Sequence, residues 1–337
     1  MSKKLLLLLL CLGLSLSLFI NCDKDNPAEP EPEPINEFNL VAAVGDQYFT
    51  DYTTASGGVN VSITDLFPIL SDTDTSNDPY IIDYRSAPDY ATGHIKGAVN
   101  IGLKSLLDKV EDGTIPANKR IVNVCYTGQT ASHATALLNM LGYDAQNLLY
   151  GMCGVTTDST INGTQFWSGQ IAEDEFGSKL EANKETLSKE YAFPTLSTGK
   201  QTAEEVIKAR FATYMENYAS WAMISAADVF ANPSGFFIVN YWAEADYVAP
   251  GHIKGAYQFT PNVSLQKAEK LKYLPTDKKI VVYCWTGQTS AQVVAYLQIL
   301  GYEAYSLTYG VNGFAYKSLS SHKFVAPVND YSSIIVK

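Results

Sequence analysis

The sequence is poor in the residues that metal sites and disulfide frameworks require. It has four histidines and five cysteines among 337 residues, and no two cysteines form a Cys-x-x-Cys pair. Bound metals need closely spaced ligands, and small disulfide-rich domains need many cysteines. We therefore expect no metal and no cofactor, and we look for individual thiols that act alone.

Positive charge is also scarce. Lysine and arginine number 24 against 35 acidic residues, which gives a formal net charge of −11. Proteins that hold nucleic acid through its phosphates carry a basic patch or stripe, and this sequence shows none. We therefore expect no nucleic-acid partner.

A long apolar run is missing as well. The apolar stretch at residues 5–20 is shorter than the roughly 20 residues that a spanning helix needs. It follows Lys3 and Lys4 and ends just before Cys22, as in a bacterial lipoprotein signal. We predict that residues 1–21 are a signal peptide and that Cys22 becomes a lipidated N-terminus. A signal peptide that is cut elsewhere is the alternative.

The stretch at 22–38 alternates proline and glutamate, which favours an extended tether. Together these segments predict an exported protein of the bacterial cell envelope, held to a membrane by lipid on its periplasmic or outer-membrane side. With Cys11 removed and Cys22 lipidated, Cys125, Cys153 and Cys284 remain. An odd number of thiols indicates at least one functional cysteine.

The rest of the chain is one pattern written twice. PYIIDYRSAPDYATGHIKGAVNI at 79–101 matches FFIVNYWAEADYVAPGHIKGAYQF at 236–259, and IVNVCYTGQTA at 121–131 matches IVVYCWTGQTS at 280–290. Two copies of one unit predict two tandem domains. We assign residues 39–165 to the first, 166–205 to a connecting segment and 206–337 to the second.

Each copy alternates short apolar runs with segments of helical spacing. Ile121–Val124 resembles a buried parallel strand, and the leucines that follow it recur at helical intervals up to Gly142. Repeated strand and helix signals predict α/β domains, each a parallel sheet covered by helices on both faces.

Both cysteines at matched positions, Cys125 and Cys284, stand where a strand is expected to end and a helix to begin. That edge of a parallel sheet is where sites form. A short glycine-containing loop there can turn its N–H groups toward the sulfur, and a helix N-terminus lowers a thiol pKa. We expect two nucleophilic thiolates, each in an anion cradle built by its own loop: Tyr126, Thr127, Gly128, Gln129 and Thr130 in the first copy, and Trp285, Thr286, Gly287, Gln288 and Thr289 in the second.

These motifs resemble the rhodanese family of sulfurtransferases. The resemblance rests on Asp-x-Arg at 83–85, on GHIKGA in both copies, and on Cys-x-x-Gly-x-Thr followed by a helix. It implies a tandem rhodanese-like protein that moves a sulfane sulfur through a cysteine persulfide. The donor would be small and anionic, of the thiosulfate or 3-mercaptopyruvate type, and the acceptor a thiol or cyanide. Cys125 is the first choice of nucleophile, and Arg85 would help to bind the donor.

Two other functions remain open. A cysteine phosphatase or arsenate reductase would need an arginine six residues after the cysteine, where Ala131 and Ser290 stand. A duplicated domain can also be a non-catalytic binding module or a persulfide carrier.

The copies differ upstream of the loop, where Asp83-Tyr84-Arg85 becomes Asn240-Tyr241-Trp242. Trp242 is expected to fill core volume, and a structural salt bridge is the alternative role for Arg85. The second site, without its arginine, would take a less anionic donor or relay a persulfide.

The remaining candidates are single residues. Cys153 is expected near Cys125, either as a buried small side chain or as a resolving thiol. His94 and His252 are expected to bond to backbone, and His133 is expected at the surface.

Overall fold

The computed structural model describes residues 35–51, 59–163, 167 and 175–337. The predicted signal peptide, Cys22 and most of the tether lie outside these residues. Asn36–Lys337 form one compact unit. Within the described part of the chain, no helix combines the length and the apolar character needed to cross a membrane.

The chain alternates strands and helices, as the sequence pattern predicts. The helices are α1 Glu37–Asp51, α2 Ile63–Ser71, α3 Ala87–Thr92, α4 Leu106–Glu111, α5 Gln129–Met140, α6 Ser159–Asn162, α7 Ala203–Glu216, α8 Tyr218–Trp221, α9 Ala226–Ala231, α10 Glu244–Val248 and α11 Gln288–Ile299. Short 3₁₀ turns occupy Leu103–Ser105, Gly151–Gly154, Gly177–Lys179, Pro233–Gly235, Lys270–Tyr273, Gly310–Gly313, Tyr316–Ser318 and Ser332–Ile334.

The strands in the described residues are short, each of two to four residues. They are β1 Asn60–Val61, β2 Tyr80–Asp83, β3 His94–Ile95, β4 Val99–Asn100, β5 Ile121–Val124, β6 Ala145–Leu148, β7 Leu180–Glu181, β8 Met223–Ile224, β9 Phe237–Asn240, β10 His252–Ile253, β11 Ala256–Gln258, β12 Ile280–Tyr283, β13 Ala304–Leu307 and β14 Ile335–Val336.

Two five-stranded sheets carry the fold. The first has the order β1-β6-β5-β2-β4 and the second the order β11-β9-β12-β13-β8. Read from its other end, the second sheet is β8-β13-β12-β9-β11, so the equivalent strands of the two repeats occupy the same positions. Every pair of neighbours in both sheets is parallel. The expectation of two tandem α/β domains is confirmed.

Each sheet is buried on both faces, which explains its nearly continuous apolar strands. Successive residues Ile81 and Ile82 point into two different clusters, because side chains alternate across a strand. The cluster that contains Ile82 also contains residues of α1, α5, α7 and α11 and of the second sheet. The two repeats therefore share one central core between their sheets.

Each repeat also has a small two-stranded sheet whose second strand comes from a segment outside the main sheet of that repeat. In the first repeat, β3 pairs antiparallel with β14. In the second, β10 pairs antiparallel with β7, which belongs to the predicted connecting segment 166–205. The segment assigned to the second domain, 206–337, thus ends against the first repeat, and the two repeats are bound to each other by backbone hydrogen bonds.

Candidate active site

Both matched cysteines lie directly after a central strand, at the carboxyl edge of their sheets. Cys125 follows β5 and Cys284 follows β12, and in each repeat a helix begins four residues further on. The turn is closed by Gly128 and Gly287, both at φ 78°. This left-handed conformation favours glycine, and a β-carbon at either position would collide with a glutamine from the opposite repeat.

The loop amides point at the first sulfur. The backbone N–H groups of Gly128 and Ala131 lie 3.1 and 3.4 Å from Cys125 Sγ. In the second repeat Ser290 N lies 3.3 Å from Cys284 Sγ, and that thiol reaches Ser290 Oγ at 3.5 Å. Convergent amides at a helix N-terminus can stabilise a negative charge on sulfur.

The first thiol is nonetheless harder to ionise than a free cysteine. Cys125 is 3% exposed, and its burial raises its pKa. The backbone N–H groups of Ala131, Thr127, Gly128 and Thr130 oppose this shift without cancelling it. The expectation of a lowered pKa is wrong, because the cost of burying a thiolate exceeds the gain from the amides.

Arg85 is held by its own surroundings. Its Nε lies 3.0 Å from both carboxylate oxygens of Asp83, and its Nη2 lies 2.7 Å from Asp83 Oδ2. The remaining contacts are to the carbonyl oxygens of Ile161 and Gly93, each at 2.7 Å. These bonds engage every nitrogen of the guanidinium in a buried ion pair. The salt-bridge alternative therefore describes this residue, and donor binding by Arg85 stays a prediction.

The second repeat fills the same place with stacked rings. Trp242 is 1% exposed, and its ring lies 4.0 Å from that of Trp285, nearly parallel. Trp285 in turn stacks on His322 at 4.7 Å. In the first repeat the matched pair is Arg85 over the ring of Tyr126, at 5.7 Å. The second repeat thus has three stacked rings where the first has a contact between a guanidinium and one ring.

A cavity of 390 Å³ opens beside Cys284. Trp242, Trp285 and His322 line it, and so do Tyr48 and Phe49 of α1, which belong to the first repeat. Nothing in the repeat pattern marks these last two residues as site residues, since only the folding of α1 against the second repeat brings them there.

Each loop contacts the opposite repeat through its glutamine. Gln288 Nε2 donates to the carbonyl oxygen of Thr127 at 2.9 Å, and Tyr309 N donates to Gln129 Oε1 at 2.7 Å. Both glutamines are buried. Their predicted role in substrate binding stays a prediction, and the contacts give both a role between the repeats.

Comparison with known proteins places this geometry in a family. The family model described as "Rhodanese-like domain" matches residues 69–157 and 234–317, which is more than half of the chain. The chain belongs to the rhodanese-like family. Both matched segments contain a cysteine loop and four of the five strands of its sheet.

Solved structures of other rhodanese-like proteins are similar to this chain. A thiosulfate sulfurtransferase from Pseudomonas aeruginosa is 16% identical over 86% of this chain and 49% of its own, with a TM-score of 0.30. A rhodanese-like domain protein from Staphylococcus aureus is 24% identical over 28% of this chain and 86% of its own, with a TM-score of 0.25. A rhodanese-related protein from Thermoplasma volcanium is 26% identical over 29% and 93%, with a TM-score of 0.26. No curated protein matches the sequence.

Cys153 of this rhodanese-like chain belongs to the support of the first loop. Its backbone N–H donates to Tyr126 O at 3.0 Å, and its thiol lies 3.5 Å from Asn162 O. Burial raises its pKa to about 12, and the nearby Cys125 adds to the shift. A thiol so hard to ionise fits the buried small side chain better than the resolving nucleophile, which stays a prediction.

The histidines have structural partners. His94 Nδ1 lies 3.0 Å from Tyr90 O and His252 Nδ1 lies 2.8 Å from Tyr247 O, so the expected bonds to backbone are confirmed. The expectation of a surface position for His133 is wrong, since its side chain is fully buried. The reason is α7, which packs on α5 and places Tyr214 Oη 3.1 Å from His133 Nδ1.

Proposed function

We propose that this protein is a sulfurtransferase that carries a sulfane sulfur on Cys125. The observation that carries the proposal is the pair of N–H groups, from Gly128 and Ala131, that lie within 3.4 Å of Cys125 Sγ at the start of a helix. The same donors can hold the negative charge of a persulfide. Membership of the rhodanese-like family supports this chemistry.

The reaction with thiosulfate illustrates the transfer. The Cys125 thiolate attacks the outer sulfur of thiosulfate, a new S–S bond forms, and the old S–S bond breaks. Its electron pair leaves with sulfite, and the negative charge stays on the outer sulfur of the persulfide. A thiol or cyanide acceptor then attacks that outer sulfur, and Cys125 recovers its electron pair. A donor of the 3-mercaptopyruvate type would transfer its sulfur to the same thiolate: its C–S bond breaks, and the electron pair leaves with the enolate of pyruvate, which then takes up a proton.

Two single variants test the proposal. Purified wild-type protein, Cys125→Ser and Cys284→Ser are incubated with thiosulfate or 3-mercaptopyruvate, and the intact mass is measured before and after addition of cyanide. We expect Cys284→Ser to gain the mass of one sulfur and wild type to gain at least that mass, and both to lose it to cyanide. Full activity of Cys125→Ser with both donors would refute the assignment.

A non-catalytic or carrier role is the second candidate, and the burial of Cys125 with its raised pKa favours it. The same measurement separates these roles. A persulfide that forms but does not pass to cyanide or thiol indicates a carrier, whereas no added sulfur on either cysteine indicates a binding module.

We also propose that the protein is exported and anchored through lipid at Cys22, as the N-terminal sequence suggests. Expression in bacteria with a labelled fatty acid tests this. Label and membrane association should be present in wild type and lost in Cys22→Ser, whereas Cys11→Ser serves as the matched control. Equal labelling of wild type and Cys22→Ser would contradict the anchor.

A further inference from the structure

The cavity beside Cys284 differs in kind from an anion site. Its lining includes one carboxylate, Asp246, and one histidine, His322, but no lysine or arginine among the described residues. The matched position that carries Arg85 in the first repeat carries Trp242 here. An anion that enters this cavity would lose its water without meeting a charged partner, which is costly.

Aromatic side chains make up much of the cavity lining. Trp285 has Trp242 against one face and His322 near it, and Trp242 also meets Tyr283 edge-on at 5.4 Å. Aromatic rings pack favourably against another ring and against the polarisable sulfur of a thiol or thioether.

The cavity is built by both repeats. Tyr48 and Phe49 come from α1, and Asn60 comes from β1 of the first sheet. Asp46 of α1 accepts from the backbone N–H of Lys267, and Phe49 meets Tyr296 edge-on at 5.1 Å. These contacts fix the aromatic pair of α1 against the second repeat, so the space beside Cys284 is preformed. Its 390 Å³ lies near the lower end of small-molecule sites and is more than a single ring needs.

We propose that the Cys284 cavity binds an uncharged organic thiol that carries an aromatic or similarly apolar group. Bound there, the thiol lies beside Cys284 and can accept sulfur from a persulfide on that residue; this step rests on the proposed function and on a sulfane donor. The thiol sulfur bonds to the outer sulfur of the persulfide, and the bond from Cys284 Sγ to that sulfur breaks. Cys284 takes the electron pair and the proton of the thiol. The binding itself needs no sulfur transfer.

Protection from alkylation tests the binding, with the other cysteine as an internal control. The full chain is treated with iodoacetamide alone, with benzyl alcohol or with sulfate, and peptide masses give the labelling rates of Cys125 and Cys284. Benzyl alcohol should slow Cys284 selectively, and sulfate should not. Equal protection of both cysteines by benzyl alcohol, or better protection of Cys284 by sulfate, would overturn the proposal.

Calorimetry measures the affinity of the cavity for benzyl alcohol directly, without alkylation. Trp285→Leu removes one ring of the lining and should weaken binding about 3–10-fold, the worth of one aromatic contact. Phe230→Leu, which disturbs a ring stack outside the cavity, should leave the affinity unchanged. Absence of saturable heat in wild type would refute the site. Failure of the sulfur-transfer assay with intact binding would instead count against the proposed function alone.

Discussion

The two repeats solve one structural problem in two ways. At the end of β2, the buried Asp83 is neutralised by Arg85, which also holds two backbone carbonyl oxygens. At the end of β9, Asn240 donates to Tyr283 Oη at 2.9 Å and Trp242 fills the remaining space with a stacked ring. The change from carboxylate to amide and from guanidinium to indole removes both charges together.

Both residues change together, which indicates that Arg85 and Asp83 depend on each other as a buried ion pair. A buried charge without its partner is strongly destabilising, whereas an apolar replacement of the whole pair can be nearly neutral. The cysteine loops can therefore stay alike while the chemistry beside them changes from charged to aromatic.

The largest expected effect comes from breaking this ion pair in the first repeat. Arg85→Met leaves Asp83 buried and unpaired, and should lower the free energy of unfolding by about 3–5 kcal/mol. Asp83→Asn with Arg85→Trp introduces the residues of the second repeat and should recover most of the loss. Urea unfolding measures all three proteins, and a double variant as unstable as Arg85→Met would contradict the pairing.

The next effect concerns His133, whose counterpart is Gln292. Burial lowers the His133 pKa from 6.5 to about 3, so the folded protein keeps it neutral where the unfolded chain takes up a proton. The free energy of unfolding therefore has its full value above about pH 6.5. It falls by about 1.4 kcal/mol per pH unit as the pH drops from there toward 3.

His133→Gln should remove this slope and leave a constant cost from the lost contact with Tyr214. Tyr214 and Tyr218, which face the imidazole, have raised pKa values and do not titrate in acid. Unfolding in urea at neutral pH and at several acidic pH values is the measurement. Parallel stability curves for wild type and variant would rule out the histidine as the source.

A smaller loss of stability is expected when either loop glutamine is removed, and the two losses should differ. Gln129→Ala leaves the buried N–H of Tyr309 without its acceptor, and should cost about 1–3 kcal/mol. Gln288→Ala leaves the carbonyl oxygen of Thr127 without its donor and should cost less, since carbonyl groups tolerate a missing partner better. Equal losses in thermal or urea unfolding would show that the two contacts are equivalent after all.

The smallest effect is kinetic. Because burial raises the pKa of Cys125, its alkylation by iodoacetamide should reach half of its maximal rate at a higher pH than that of a small free thiol. Peptide mass spectrometry of Cys284→Ser across a pH series gives this midpoint. A midpoint below that of the free thiol would mean that the loop amides dominate over burial.

The sequence predicts the parts of this molecule that depend on local pattern. The apolar runs gave the strands, and the Cys-to-Gly spacing placed each loop at the carboxyl edge of a sheet. The amides that face Cys125 follow from that placement. These features need only residues that are close in the chain.

What the sequence could not predict comes from contacts between the repeats. His133 has the spacing of a helix surface, and only α7 buries it. Gln129 and Gln288 belong to the loop motif, yet their partners lie in the other repeat. The sign of the Cys125 pKa shift depends on a degree of burial that no local pattern reveals.

The pairing of β14 with β3 has a consequence for how the protein is made. A ribosome releases the first repeat long before Ile335 and Val336, which follow the whole second repeat. The first repeat must therefore wait with β3 lacking its partner until translation passes the second. During that interval β3 has exposed backbone N–H and C=O groups, an edge to which another chain could add. We expect chains halted on the ribosome before Ile335 to bind chaperones more strongly than full-length chains released from it.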